Sequence, residues 1–188
     1  MIDYKSKSYR ATVKNKIGER GYEDKKKIVL KYARGKILEL GCGEVPIFEN
    51  STKVDIAKIH GCVKADLNKP IPLKGKFDTI IALEVVGHLY NVDGFLKECY
   101  RLLHNSGTLI LSSRSVTYWK SRIRLFFGDD KDFDNDGEYY WYFSPKSLTK
   151  KLKEHRFAIN VMRGIGRANL LSLCGDFICV CSKSNKKV

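Results

Sequence analysis

The chain has no run of about 18 apolar residues, the length a membrane-crossing helix needs, so no span of that kind is expected. Its opening, Met-Ile-Asp-Tyr-Lys-Ser-Lys, lacks the apolar stretch of a secretion signal, and a soluble protein of the cytoplasm is the expectation. Proline is scarce, at 4 of 188 residues, and neither repeats nor a low-complexity linker divide the sequence. That length suits one core and is too short for two ordinary domains. The six cysteines, Cys42, Cys62, Cys99, Cys174, Cys179 and Cys181, lack paired metal-ligand spacing, so reduced, mostly packed thiols and no metal are expected. Acidic residues are outnumbered 21 to 35, giving a net charge of +14. Residues 1–36 hold twelve Lys or Arg against four Asp or Glu, so over half of the excess is N-terminal. There Tyr9, Val13 and Ile17 recur at helical spacing among lysines and Arg10. Residues 1–22 thus read as a basic arm or lid, across a crevice, on an acidic partner or merely solvated, and nucleic acid binding through it stays open.

The most informative segment is Ile37-Leu38-Glu39-Leu40-Gly41-Cys42-Gly43, an apolar strand carrying an acid and running into a glycine-broken turn. Such a turn lets backbone amides approach a ligand that a side chain would hold away. Asp55 closes the next strand, where a carboxylate can accept hydrogen bonds from ribose hydroxyls. A Gly-x-Gly alone is equally a structural turn, so its surroundings decide. Pro46 stands where a dinucleotide fingerprint needs its third glycine, which disfavours pyrophosphate. Glu39 is placed to hold an α-amino group, as the methionine part of S-adenosylmethionine requires.

Two further strands end in acid, Cys62–Ala65 at Asp66 and Phe77–Leu83 at Glu84. In an open parallel sheet ligands bind beyond the carboxyl ends of the strands. Glu39, Asp55, Asp66 and Glu84 are therefore expected to converge on one crevice, although each alone reads as a solvated strand end.

On these residues the sequence resembles the class I S-adenosylmethionine-dependent methyltransferases, specifically the small type 11 branch, over residues 25–182. The resemblance implies an S-adenosylmethionine site formed by Glu39, Gly41, Cys42 and Gly43, with Asp55 and its neighbour Ile56 at the ribose. Asp66 and Leu67 would contact the adenine, and Leu83 would join them. Glu84-Val85-Val86-Gly87-His88-Leu89 is similar to the family's Glu-Val-x-Glu-His-Leu segment beside the transferring methyl group. Two departures stand out. Gly87 replaces an acid, and only eight residues separate Gly43 from Thr52, room for at most a turn or two of the usual covering helix. After strand four the chain lacks both the Asn/Asp-Pro-Pro-Tyr/Phe of many exocyclic amino methyltransferases and a Pro-Cys nucleophile. The resemblance implies methyl transfer to a small-molecule, lipid or sugar-like acceptor. RNA or protein as acceptor, or a non-catalytic binding module on the same fold, are the alternatives.

The expected fold is α/β, a Rossmann-like, seven-stranded, mostly parallel sheet with a C-terminal antiparallel hairpin and helices on both faces. The methyltransferase domain is expected over residues 23–188. Helices are predicted at Asp24–Tyr32, after a cap at Asn91 or Asp93, and from Ser144-Pro145, where serine caps and proline takes the first helical position. Strand five is predicted at Gly107–Ser113 and the last two strands at Phe157–Met162 and Phe177–Cys181.

Residues 114–143 form an insertion with 10 of the 21 aromatic residues. Long insertions at a ligand edge are usually functional, and aromatics also pack as local cores. Tyr118, Trp119 and Tyr140, with Tyr9, are candidate acceptor contacts. Asp132, Asp134, Asp136 and Gly137 match half of a calcium loop, but its twelfth position is Phe143 in place of a bidentate Glu, so a solvated acidic turn is expected. His88 is the candidate base, since a neutral imidazole is available near pH 7, and Glu84 the candidate orienting group. A packed or capping role for His88 is the plain alternative.

Overall fold

A computed structural model describes residues 20–133, 139–166, 171 and 173–184. Three consecutive short strands, β1 (Ile37–Leu40), β2 (Thr52–Asp55) and β3 (Val63–Lys64), pair in parallel on one side of the sheet. On the other side of β1 lie β4 (Phe77–Ala82) and β5 (Leu103–Arg114), also parallel. β6 (Phe157–Ile165) and β7 (Asp176–Lys183) complete seven strands in the order β3-β2-β1-β4-β5-β7-β6, with β7 antiparallel to both neighbours. The expected parallel sheet with an antiparallel terminal hairpin is what forms.

Alternation along the strands sorts apolar side chains to two faces. Leu38, Leu40, Val54, Ile80, Ala82, Leu109 and Leu111 share one buried cluster with helix α2 (Val92–Leu102) and helix α4 (Pro145–Glu154). Ile81, Ile110, Ile178 and Val180 turn to the opposite face, against Val29 and Ala33 of helix α1 (Arg20–Tyr32) and its exit. Truncating a fully buried aliphatic such as Ile80 costs about 2–5 kcal/mol in such cores. The exit of α1 is fixed to β4, because Thr79 Oγ1 accepts from Arg34 N at 2.9 Å and donates to Arg34 O at 2.8 Å.

The start of α2 is set by Asn91, whose side chain accepts from Gly94 N, so of the two candidate caps Asn91 serves. Asp93 instead pairs with Lys151 of α4 at 3.0 Å. Ser144 and Ser147 form a reciprocal capping box at α4, with Pro145 in the first turn. Leu148 and Leu152 point inward as their spacing predicts. Helix α3 (Trp119–Phe126) lies inside the insertion, where none was anticipated. Most of its apolar side chains stay exposed, although Trp119, Ile123 and Phe126 share one face of the helix.

The connection from β1 to β2 contains turns and no helix. Pro46 has no amide to donate, and the next two amides bond to Glu39, which holds the segment in an irregular course over the sheet. Its Ile47 and Phe48 pack on the α1 side, in the position a covering helix would take.

Candidate active site

The carboxyl ends of β1, β2 and β4 face one edge of the sheet, and the first residue of β7, Asp176, reaches the same edge opposite Arg114 of β5. At β1 the chain turns through Gly41 (φ 67°) and Gly43 (φ 60°), both in the left-handed region that favours glycine. A Cβ at Gly41 would stand 2.5 Å from Val85 Cγ2, so the residues after β4 close against this turn. Gly43 N donates to Asp55 Oδ2 at 2.9 Å and Ala57 N to Asp55 Oδ1 at 2.9 Å. Asp55 thus ties the glycine turn to the end of β2. A carboxylate offers roughly four acceptor sites, so capacity for two ribose hydroxyls remains. Ile56 follows, partly exposed, at the same strand end.

Glu39 is buried, and its carboxylate accepts from Ile47 N (2.8 Å), Phe48 N (2.9 Å) and Ser51 Oγ (2.6 Å). In this arrangement it organises the shortened connection, where the spacing alone pointed to a ligand's amino group. Beyond β3, Asp66 Oδ1 accepts from Asn68 N and Asn68 Nδ2. Asn68 in turn bonds Asn91, so this turn is joined to the cap of α2, with Leu67 buried beneath it. Leu83 is half-buried at the end of β4, on the α1 face.

At Glu84 the backbone adopts φ 57°, which costs a residue with a side chain about 1–2 kcal/mol. Ser112 of β5 holds that conformation, since its hydroxyl accepts from Glu84 N at 3.0 Å and donates to Glu84 Oε1 at 2.6 Å. Lys25, reaching across from α1 and buried, bridges Glu84 Oε1 and Asp176 Oδ2, each at 2.7 Å. Burial alone would raise the Glu84 carboxyl, but the charge of Lys25 and hydrogen bonds from Lys25 and Ser112 outweigh it and leave Glu84 lowered and ionised. Asp176 shifts the other way: burial and the Glu84 charge raise it, and Lys25 and Arg114 offset this only in part. One ammonium thus sits between two acids of unequal acidity.

His88 closes a short 3₁₀ turn, Val86–His88, and its ring lies 4.1 Å from that of Tyr139, tilted by 41°. The guanidinium of Arg114 covers Tyr139 at 5.6 Å. Burial first, and then the Glu84 charge, push the Tyr139 phenol up to about 12, so it stays protonated at neutral pH. The insertion reaches the site through the backbone as well, with Tyr140 N and Trp141 N both donating to Gly87 O.

Of the candidate acceptor contacts, Tyr118 stands at the N-cap position of α3 without a capping bond from its side chain, and Trp119 and Tyr140 are exposed. Trp119 lines an open hollow with Arg122, Ile123, Phe126 and Phe127 that none of the strand-end acids borders. Tyr140 meets Tyr90 edge to face at 6.0 Å. Tyr9 and the rest of the basic segment 1–19 lie outside the described residues. Asp132 is held by Arg124 and Ser121 and pins the insertion to α3. Asp134, Asp136 and Gly137 fall outside the described residues, among which no cluster suited to a metal occurs. No described helix is long and apolar enough to cross a membrane.

Lys25, Ser112, Tyr139 and Asp176 escaped the sequence reading. Lys25 could have been found, because it shares the Ile28, Val29 and Tyr32 face of a predicted helix. Asp176 directly precedes the apolar run Phe177–Cys181. Ser112 carries no local signal, and Tyr139 opens the aromatic run Tyr139–Phe143 without any feature that sets it apart from its neighbours.

A methyltransferase-domain family model matches residues 45–111, the stretch from the connection after the glycine turn to the end of the β5 core. The ubiquinone biosynthesis O-methyltransferase of Bradyrhizobium diazoefficiens is 24% identical over 158 residues, spanning 69% of this chain and 61% of that protein. The chain thus spans about three fifths of the length of that relative. Two solved structures share the fold. One is the 1,6-didemethyltoxoflavin-N1-methyltransferase of Burkholderia thailandensis (TM-score 0.71, 14% identity, 95% of this chain and 84% of that one). The other is the magnesium protoporphyrin IX methyltransferase of Synechocystis PCC 6803 with bound S-adenosylhomocysteine (TM-score 0.68, 16% identity, 97% of each chain).

Proposed function

For a chain that belongs to the type 11 branch of the class I S-adenosylmethionine-dependent methyltransferases, we infer methyl transfer to a small acceptor, most specifically to the hydroxyl of a hydroxylated aromatic compound. One observation carries this reading: the glycine turn, Asp55, Asp66 and the Glu84–His88 segment lie along a single edge of the sheet. The name of the 24% identical O-methyltransferase supports the oxygen acceptor and the aromatic class.

The bound cofactor supplies an electrophilic methyl group on a sulfonium. Asp55 has acceptor capacity for the ribose, and Gly41 and Gly43 keep the floor of the site free of side chains. Asp66 stands at the adenine end, tied through Asn68 to α2. With three donors already on its carboxylate, Glu39 acts on the cofactor through the course of residues 47–51. His88 accepts the acceptor's hydroxyl proton as the oxygen–carbon bond forms and the sulfur–carbon bond breaks, and then passes that proton to water. Tyr139 lies tilted against His88 and limits its ring orientations. The Lys25–Glu84–Asp176 cluster fixes the backbone before the 3₁₀ turn, and holding the reactants in attack geometry is the larger part of such catalysis.

The test is calorimetric titration of folded protein with S-adenosylmethionine and S-adenosylhomocysteine, followed by labelled methyl transfer to a panel of catechols and phenols. Micromolar binding with label in an aryl ether supports the reading. Absence of binding to both cofactor forms removes it.

A further inference from the structure

Cys42 and Cys62 are 20 residues apart in sequence, yet their sulfurs lie 3.1 Å from each other. The other four cysteines are buried, whereas these two are half-exposed. Cys42 stands between Gly41 and Gly43 in the glycine turn, and Cys62 immediately precedes β3. A disulfide sets its sulfurs about 2.05 Å apart, so closing this pair requires an approach of roughly 1 Å.

We propose that Cys42 and Cys62 are a modification site that a low-molecular-weight disulfide oxidises reversibly, and that closing the pair weakens cofactor binding at the adjoining turn. The second half rests on the methyltransferase reading; the first does not. The Cys62 thiolate attacks one sulfur of the small disulfide, whose S–S bond breaks to release one small thiol. Cys42, as thiolate, then attacks Cys62 Sγ and displaces the second small thiol. Two cysteines are oxidised, one small disulfide is reduced, and the two cysteine protons end on the two released thiols.

The order of attack follows from the surroundings. Burial raises both thiols. The contact between them raises Cys42 further but draws Cys62 back down, so Cys62 ionises first. The coupling to the cofactor follows from the restraints on the turn. Val85 packs closely against Gly41, and Asp55 holds the Gly43 amide at 2.9 Å. Drawing Cys42 towards Cys62 therefore strains the bond between Gly43 and Asp55, which is where the ribose would be received.

The experiment equilibrates the full chain in a series of reduced and oxidised glutathione. It reads peptide mass mapping for the crosslink and calorimetry for S-adenosylhomocysteine affinity. The expected result is a Cys42–Cys62 crosslink without retained glutathione, at least tenfold weaker binding in the oxidised form, and recovery on reduction. Cys62→Ser, shown by circular dichroism to be folded, should bind like reduced wild type across the whole series. Absence of the crosslink at the oxidising end overturns the proposal. A crosslink with unchanged affinity overturns the coupling. If reduced protein binds no cofactor, the methyltransferase reading and the coupling fall together, while the crosslink still decides the thiol chemistry.

Discussion

Tyr139 covers the face of Gly87 that a side chain would need: a Cβ at Gly87 would stand 2.8 Å from Tyr139 Cδ1 and 3.2 Å from Trp141 O. The glycine that departs from the family's acid is therefore matched to the aromatic insertion. Gly87 leaves room for Tyr139, whose ring lies 4.1 Å from that of His88.

Restoring the acid should be harmful. Gly87→Glu is expected to displace Tyr139 and lower unfolding free energy by about 1–3 kcal/mol, the usual cost of overpacking. Gly87→Ala should act in the same direction by less. Urea midpoints of the two variants check this, and a neutral Gly87→Glu would show that the insertion yields freely.

Removing the buried ammonium leaves two carboxylates without their shared partner. Lys25→Met should cost about 3–5 kcal/mol near pH 7, as breaking a buried ion pair does. The two acids then differ in sign with pH. Glu84 is lowered from 4.5, so its contribution is present above that value and is lost as pH falls through its depressed one. Asp176 is raised from 3.8, so its contribution is fullest below that value and is lost as pH rises through its elevated one. Denaturation from pH 3 to 8 should accordingly show Glu84→Gln costing stability at neutral pH and Asp176→Asn costing less there. Equal losses at pH 7 would contradict this assignment.

Glu39→Gln removes the charge from three hydrogen bonds. Bonds to charged groups are worth about 1.5–3 kcal/mol each, and partial retention by the amide oxygen leaves an expected loss of about 2 kcal/mol. Residues 44–51 should become sensitive to limited proteolysis and cofactor affinity should drop with them. Unchanged protease resistance would mean that Ile47 and Phe48 hold the segment through packing alone.

His88→Asn should lower kcat by about 10²–10⁴-fold with cofactor affinity unchanged, the span expected for a general base. Tyr139→Phe should leave the pH profile below pH 9 in place, because a phenol near 12 does not titrate there. A limb of the profile that vanished with Tyr139→Phe would move the proton transfer to the phenol.

What could be read from sequence was what is local. Short runs closed by an acid located β1, β2 and β4 to within a residue, and Ser144-Pro145 marked the start of α4, because strand ends and caps are decided by near neighbours. Asp55 and Asp66 lie at the expected strand edge because acids ending parallel strands share it. Legibility failed where distant segments meet. Glu39 bonds three donors of its own loop, a fact of conformation that spacing does not encode. Lys25 gains its meaning from Glu84 and Asp176, 59 and 151 residues away. Helix α3 was not anticipated although Trp119, Ile123 and Phe126 recur at helical spacing, a stripe that stays exposed.

The bridge from Lys25 to Asp176 also sets a schedule for the ribosome. Within residues 37–68 the bonds from Gly43 and Ala57 to Asp55 are local, whereas the turn's contact with Val85 and the tie from Asn68 to Asn91 wait for later residues. The ammonium that steadies Glu84 has no second acid until β7 has been made, 151 residues after Lys25. A nascent chain therefore cannot complete the bridge at Glu84 until translation has passed the last strand.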